Sequence, residues 1–150
     1  MRIVLQRVKE ASVSIEGTEK SKIGKGLLIL LGIEDEDTQE DIDWLCRKTV
    51  NLRIFSDAEG KMNDSLKKID GEALVVSQFT LHANTRKGTR PSFAKAAKPK
   101  TAIPLYEKFI ERFELELGKS IGTGEFGADM QVSLQNDGPV TLIMDSKNKM

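Results

Sequence analysis

Three apolar alternations crowd the first 33 residues and restrict the fold more than any other feature of the chain. In residues 2–8, Ile3, Leu5 and Val8 are apolar, with Gln6 and Arg7 between them. In 11–17, Val13 and Ile15 share one face, and Ile23 to Ile33 is a longer β-branched and leucine-rich run holding Gly24, Gly26 and Gly32. A period of two marks a half-buried strand. The run Gly17-Thr18-Glu19-Lys20-Ser21 reads as a turn. Strands joined by turns this short leave no room for the crossover that parallel neighbours need, so the spacing predicts an antiparallel sheet.

Further along, Thr38 opens a helix: its hydroxyl can cap free amides, and Asp41 three residues on resembles a capping box. Ile42, Leu45, Cys46, Thr49 and Val50 then follow the spacing of one buried helix face. Cys46 lies on that face, which reads as a packed small thiol and not a reactive one. Short strands are predicted at Arg53–Phe55, Leu74–Leu81, Thr123–Leu134 and Val140–Met144. A second helix is predicted from Thr101 to Leu117, with Leu105, Phe109, Phe113 and Leu117 at i+4 spacing and Gly118 as its stop. The polar tail, Ser146 to Met150, reads as frayed. No repeat or linker interrupts the pattern, and 150 residues suit one domain over 1–150 with one core. The predicted class is α+β: a mostly antiparallel, curved or barrel-like sheet with two packed helices, a shape that leaves few open strand edges.

Net charge is zero, but the charges are segregated. Seven acids and no base lie between Glu34 and Asp43, and no acid lies between Ala73 and Tyr106. That second span carries Arg86, Lys87, Arg90, Lys95, Lys98 and Lys100. Two readings stand for it: a solvated loop, or a surface for an anionic ligand or a nucleic-acid backbone. One cysteine cannot form an internal disulfide, and one Cys with one His (His82) does not make a structural zinc site. The start, MRIVLQRV, lacks the pattern of a signal peptide, and the apolar stretch Gly26–Ile33 is too short to span a bilayer, so a cytoplasmic protein is expected.

Phosphate-binding glycine loops, a metal-ligating cluster and a GxSxG elbow are all missing, so no cofactor or metal is expected. Two stretches remain. Thr80 and His82, two apart on a predicted strand, share a face; either the imidazole activates the hydroxyl, or Thr80 is a strand former and His82 a rim residue. Asn136-Asp137-Gly138-Pro139 is either an ordinary hairpin turn or a rigid pocket wall with no side chain on Gly138.

Taken together, Ser77-Gln78-Phe79-Thr80-Leu81 and Asn136-Asp137-Gly138-Pro139-Val140-Thr141 resemble the two signature motifs of the D-aminoacyl-tRNA deacylases. Gln6-Arg7-Val8, Arg53-Ile54-Phe55-Ser56-Asp57, Gly60-Lys61-Met62-Asn63, Arg90-Pro91-Ser92-Phe93 and Ala128-Asp129-Met130-Gln131-Val132 fit the same family in the same order. The resemblance implies a homodimer of barrel-like subunits that hydrolyses the ester between a D-amino acid and the 3′ adenosine of tRNA. It implies that the segment from Ser77 to Thr80 lines the pocket for the adenosine and aminoacyl group, Ser77 as a substrate-binding residue, while Gln78, Phe79 and Thr80 border the scissile carbonyl with backbone N–H groups as oxyanion donors. It also implies that Gly138-Pro139, as a cis unit held by Arg7, enters the partner's pocket and excludes L-amino acids. Met130 belongs with that selectivity set, and glycyl-tRNA mischarged on alanine tRNA is an implied second substrate. An aminoacyl ester is already activated, so positioning, carbonyl polarisation and a delivered water suffice without a side-chain base. On that reading the RNA's own 2′-hydroxyl assists, and Thr80 shapes the site. Arg86, Lys87 and Arg90 then supply contacts to tRNA phosphates. The main alternative is a non-catalytic RNA-binding module built on a barrel and a basic loop.

Overall fold

The computed structural model describes residues 1–150. Its long first strand organises the sheet. β1 (Arg2–Ile15) is followed by β2 (Thr18–Ile23) and β3 (Gly26–Gly32), helix α1 (Gln39–Asn51), the short pair β4 (Phe55–Ser56) and β5 (Met62–Asp64), β6 (Glu72–Ser77), helix α2 (Pro99–Leu117), β7 (Gly122–Thr123) and β8 (Met130–Asp145). The two early alternations are therefore one strand, and the predicted 17–21 turn shrinks to Glu16 and Gly17, because Thr18 already pairs with Ile15. β1 pairs antiparallel with β3 through residues 2–8, with β2 through 11–15, and with β8 along most of its length. β3–β6 and β6–β7 are parallel. The six-stranded sheet curls until β2 meets β7, where the Ser21 hydroxyl donates to Thr123 O at 2.7 Å.

Curling gives the sheet two buried faces. Ile3, Leu5, Leu27, Ile29, Leu31 and Val75 pack with both helices, against Leu45, Phe109 and Phe113. Val8, Ala11, Val13, Leu28, Leu74 and Val76 fill the other side, the barrel interior. Buried residues of β1 are odd-numbered at both ends, Ile3 and Leu5 then Ala11 and Val13, yet they face different cores. A bulge at Lys9, between the pairs Val8↔Asn136 and Glu10↔Gln135, makes the switch.

The helices follow the sequence closely. Ile42, Leu45, Cys46, Thr49 and Val50 are all buried, and Gly118 ends α2 at φ 84°. Burial pushes the Cys46 thiol far up, which suits packing and not reactivity. Helix α2 starts at Pro99, two residues before the expected Thr101. The Thr38 hydroxyl donates to the Asp41 carboxylate (3.3 Å), which also accepts the Thr38 N–H (2.8 Å). Burial raises the Asp41 carboxyl, but the nearby Ser146 side chain, the Thr38 N–H and Lys147 outweigh it and bring the group to about 2. A carboxyl lowered on folding stabilises the fold above its unfolded value of 3.8 and loses that stabilisation as pH falls toward 2. Asp41→Asn is therefore expected to cost about 2 kcal/mol at pH 7 and to flatten the acid limb of stability between pH 4 and 2, read by urea unfolding across pH. Ser146 is not frayed: its N–H and hydroxyl both donate to Met1 O, at 2.9 and 3.1 Å.

Candidate active site

The predicted strand Leu74–Leu81 stops at Ser77, and residues Phe79–His82 form a 3₁₀ turn. The ladder explains why. The last β3–β6 pair is Leu31↔Ser77, and β3 ends at Gly32, so residues beyond Gln78 have no strand to pair with. Gln78 N–H donates to Leu31 O at 2.7 Å, and the turn's first hydrogen bond runs from Leu81 N–H to Gln78 O at 3.2 Å. The N–H groups of Phe79 and Thr80 come before any acceptor in the turn, as at every helix start. The pairing of Thr80 and His82 across a strand face is thereby removed. Thr80 Oγ1 instead accepts from Gln78 Nε2 at 2.5 Å.

His82 is buried, not on the rim; its Nδ1 lies 3.3 Å from Glu34 Oε1. It lines a separate polar cleft with Arg2, Asn84, Arg86 and Lys95. Arg86, Lys87 and Arg90 share a neighbouring cleft with Asn84 and Ser92, so the exposed basic loop begins where the 3₁₀ turn ends.

On the other side of the turn is a mostly apolar cavity of about 280 Å³. Its walls come from β3, from the Val76–Phe79 segment, from α2 through Ala102, and from the stretch Phe126–Val132. Ser77, Gln78, Phe79 and Met130 of the predicted site meet here; Thr80, Arg7, Gly138 and Pro139 are not part of its lining. Phe79 is 54% exposed and stacks edge-on against Phe93 with ring centres 5.2 Å apart, forming a bare aromatic lip. Phe126 and Ala97 are lining residues that the sequence did not single out, whereas Asp129 lies in the block around Met130 that resembles the family.

The second motif is not a hairpin turn. β8 runs unbroken from Met130 to Asp145 along β1, and residues 137–140 bulge out opposite the single residue Arg7, between the pairs Gln6↔Thr141 and Val8↔Asn136. Arg7 is only 9% exposed. Its Nε donates to Asp137 O at 2.8 Å and another guanidinium nitrogen to Ile54 O at 2.6 Å, so one side chain ties the bulge to the β4 region. The Asn136 side chain closes the bulge, accepting Val140 N–H at 2.8 Å and donating to Val140 O at 3.1 Å. The Gly138–Pro139 bond is cis, and Gly138 has φ 149°.

Residues 4–145 match the family model described as D-Tyr-tRNA(Tyr) deacylase. The chain belongs to that family. Among relatives of this deacylase family member, the D-aminoacyl-tRNA deacylase of Bacteroides thetaiotaomicron is 66% identical over 149 residues, 99% of each chain. That of Christiangramia forsetii is 63% identical over the same length and coverage. A solved structure described as c-Myc DNA Unwinding Element Binding Protein superposes with a TM-score of 0.90 at 43% identity, over 97% of this chain and 98% of the other. A probable eukaryotic D-amino acid tRNA deacylase shares the fold at TM-score 0.83 and 17% identity, over 95% and 97% of the two chains. No helix of the deacylase chain is long and apolar enough to cross a membrane.

Proposed function

We propose that this protein hydrolyses the ester of D-aminoacyl-tRNA, releasing the D-amino acid and tRNA. The observation that carries the reading is the 280 Å³ cavity walled by the Ser77-Gln78-Phe79 segment in a chain of this family. That volume sits near the ~300 Å³ lower end of ligand sites, which suits one end of a large substrate. The aminoacyl group enters it; the adenosine rests at the Phe79 lip; the acceptor strand passes over the 3₁₀ turn to Arg86, Lys87 and Arg90.

In the reaction water adds to the ester carbonyl carbon. The carbonyl oxygen becomes an oxyanion opposite the Phe79 and Thr80 N–H groups. The bond from carbon to the ribose 3′ oxygen then breaks, and that oxygen takes the proton the water gives up. The 2′-hydroxyl next to it is the nearest group able to relay that proton. Backbone donors of this kind are worth about 100- to 1000-fold each. Thr80→Ala is accordingly expected to keep activity within about tenfold of the parent, because the mutation removes the acceptor for Gln78 and leaves the N–H groups in place. Single-turnover deacylation with tRNA binding measured in parallel checks it; complete loss of turnover with binding intact would make the hydroxyl a nucleophile.

The finer parts of the proposal concern a second subunit. Two copies form a dimer in the cytoplasm, and the Gly138-Pro139 bulge of one reaches the other's cavity to exclude L-amino acids. Glycine, with no side chain to exclude, passes, so glycyl-tRNA on alanine tRNA is a second substrate. The rigid three-point hold on the bulge, by Arg7 and the Asn136 side chain, supports a filter of this type.

A non-catalytic nucleic-acid-binding module is the second reading. The basic loop favours it, as does the neighbour at 43% identity, which is described as a DNA unwinding element binding protein. One experiment separates the two: incubation with D-Tyr-tRNA, L-Tyr-tRNA and Gly-tRNA. Release of D-Tyr and Gly but not L-Tyr is expected. No release from any of them leaves binding alone, and rapid L-Tyr release removes the chiral filter.

A further inference from the structure

The 3₁₀ turn that begins with the Phe79 and Thr80 N–H groups is gripped near its other end by a residue outside the cavity. No backbone N–H reaches Leu81 O. Arg2 Nη1 donates to it instead, at 2.8 Å. The same guanidinium is fixed from behind: Nε donates to Asp145 Oδ2 at 3.0 Å, and Nη2 lies 2.9 Å from that oxygen. Asp145 is the β8 residue paired with Arg2, and Gly32 is the β3 residue paired with it on the other side. The turn rides directly on this row. A Cβ at Gly32 would lie 3.0 Å from Leu81 Cβ, 3.1 Å from His82 Cδ2 and 3.2 Å from Gln78 O.

A turn of four residues has few hydrogen bonds of its own, so its orientation is set by what holds it. Its entry is held where Gln78 N–H meets Leu31 O at 2.7 Å. At its exit, His82 Nδ1 lies 3.3 Å from Glu34 Oε1, a contact to a side chain, whereas Arg2 grips the backbone itself. Donors that face the developing oxyanion act on the transition state, so a tilted turn loses rate and keeps ground-state binding. Resting on the deacylase reading above, we infer that Arg2 is a positioning residue for the reaction, holding the 3₁₀ turn so that the Phe79 and Thr80 N–H groups face the ester carbonyl. Neither Arg2 nor its partners Leu81 and Asp145 line the cavity. Arg2 therefore acts through the turn and not on the substrate.

The test sets single-turnover hydrolysis of D-Tyr-tRNA beside calorimetric binding of 3′-amino-3′-deoxyadenosine acylated with D-tyrosine. That amide is not hydrolysed and reports the ground state alone. The Arg2 side chain is 38% exposed, so Arg2→Met removes the fork without opening the core. It is expected to slow the single-turnover step by about ten- to a hundredfold, the scale of a donor displaced and not lost. Affinity for the amide and for tRNA should stay within about twofold of the parent. Arg2→Lys is expected to recover part of the rate, since an ammonium can reach Leu81 O but cannot also fork onto Asp145. Asp145→Ala should slow the step as well, and should add nothing once Arg2→Met is present, as for two residues acting through one contact. A single-turnover rate in Arg2→Met within about twofold of the parent overturns the inference. Equal losses of rate and amide affinity overturn it too, since they mark a general role in shaping the site. A loss confined to tRNA affinity would make Arg2 a phosphate contact of the polar cleft it lines, and likewise overturns it. A parent that releases no D-Tyr instead overturns the deacylase reading on which the inference rests.

Discussion

Arg7→Ala is expected to lower the ratio of D-Tyr-tRNA to L-Tyr-tRNA hydrolysis by at least about tenfold, and to destabilise the fold by about 3 kcal/mol, since two charge-assisted bonds to backbone carbonyls, one buried and one half-buried, disappear at once. At this chain length that is a fall in melting temperature of about 6–12 °C. Both losses come from one cause. Asp137 O and Ile54 O are bridged by a single planar fork, and nothing else ties the 137–140 bulge to the body of the subunit on that side. Arg7→Lys is expected to recover only part of either loss, because one ammonium on a flexible stem does not hold two acceptors in fixed directions. The measurements are single-turnover rates on both esters and thermal melting. A destabilised Arg7→Ala whose D/L ratio is unchanged would show that the bulge is not the chiral filter.

The largest loss of stability from one added methyl group is expected at Gly26. A Cβ there would lie 1.8 Å from Glu72 O and 2.7 Å from Glu72 C, both backbone atoms of the paired strand β6. No side-chain rotation relieves such a contact; the first β3–β6 pair must separate. Overpacking usually costs about 1–3 kcal/mol and more when backbone has to move, so Gly26→Ala should lose at least about 3 kcal/mol. β6 carries Ser77 into the cavity wall, so activity should fall with stability. Chemical denaturation and deacylation measured together check this. A variant that melts like the parent would mean that β3 and β6 tolerate separation at this end.

The places where sequence reasoning succeeded and failed divide along a physical line. Helix α1 was legible because its signals are local: the cap at Thr38 and the spacing of Ile42, Leu45, Cys46, Thr49 and Val50 lie within one segment. The end of β6 was not legible. Phe79-Thr80-Leu81 has good strand propensity, and only the end of β3 at Gly32 takes away its partner. Asn136-Asp137-Gly138-Pro139 failed for a similar reason. These residues suit a hairpin turn and a bulge equally, and only the continued pairing of β8 with β1 on both sides decides. The cavity gathers residues from Leu31 to Val132, a span no periodicity connects. Ser77, Gln78, Phe79 and Met130, which the family resemblance names, do line it, but no spacing links them.

The paired bulges also limit how this protein can vary in length. Before the bulge, Met130 and Val132 face the barrel interior; after it, Leu142 and Met144 face the helices. Four residues of β8 stand opposite one of β1, an odd excess, and it matches the odd excess of one at Lys9. Deleting a single residue from 137–140 would make the excess even and turn one flank over. If the 130–135 flank turned, Gln131 and Ser133 would point toward the cavity, and Met130 and Val132 toward solvent. Relatives that keep this pocket are therefore expected to lengthen or shorten the motif two residues at a time, or not at all.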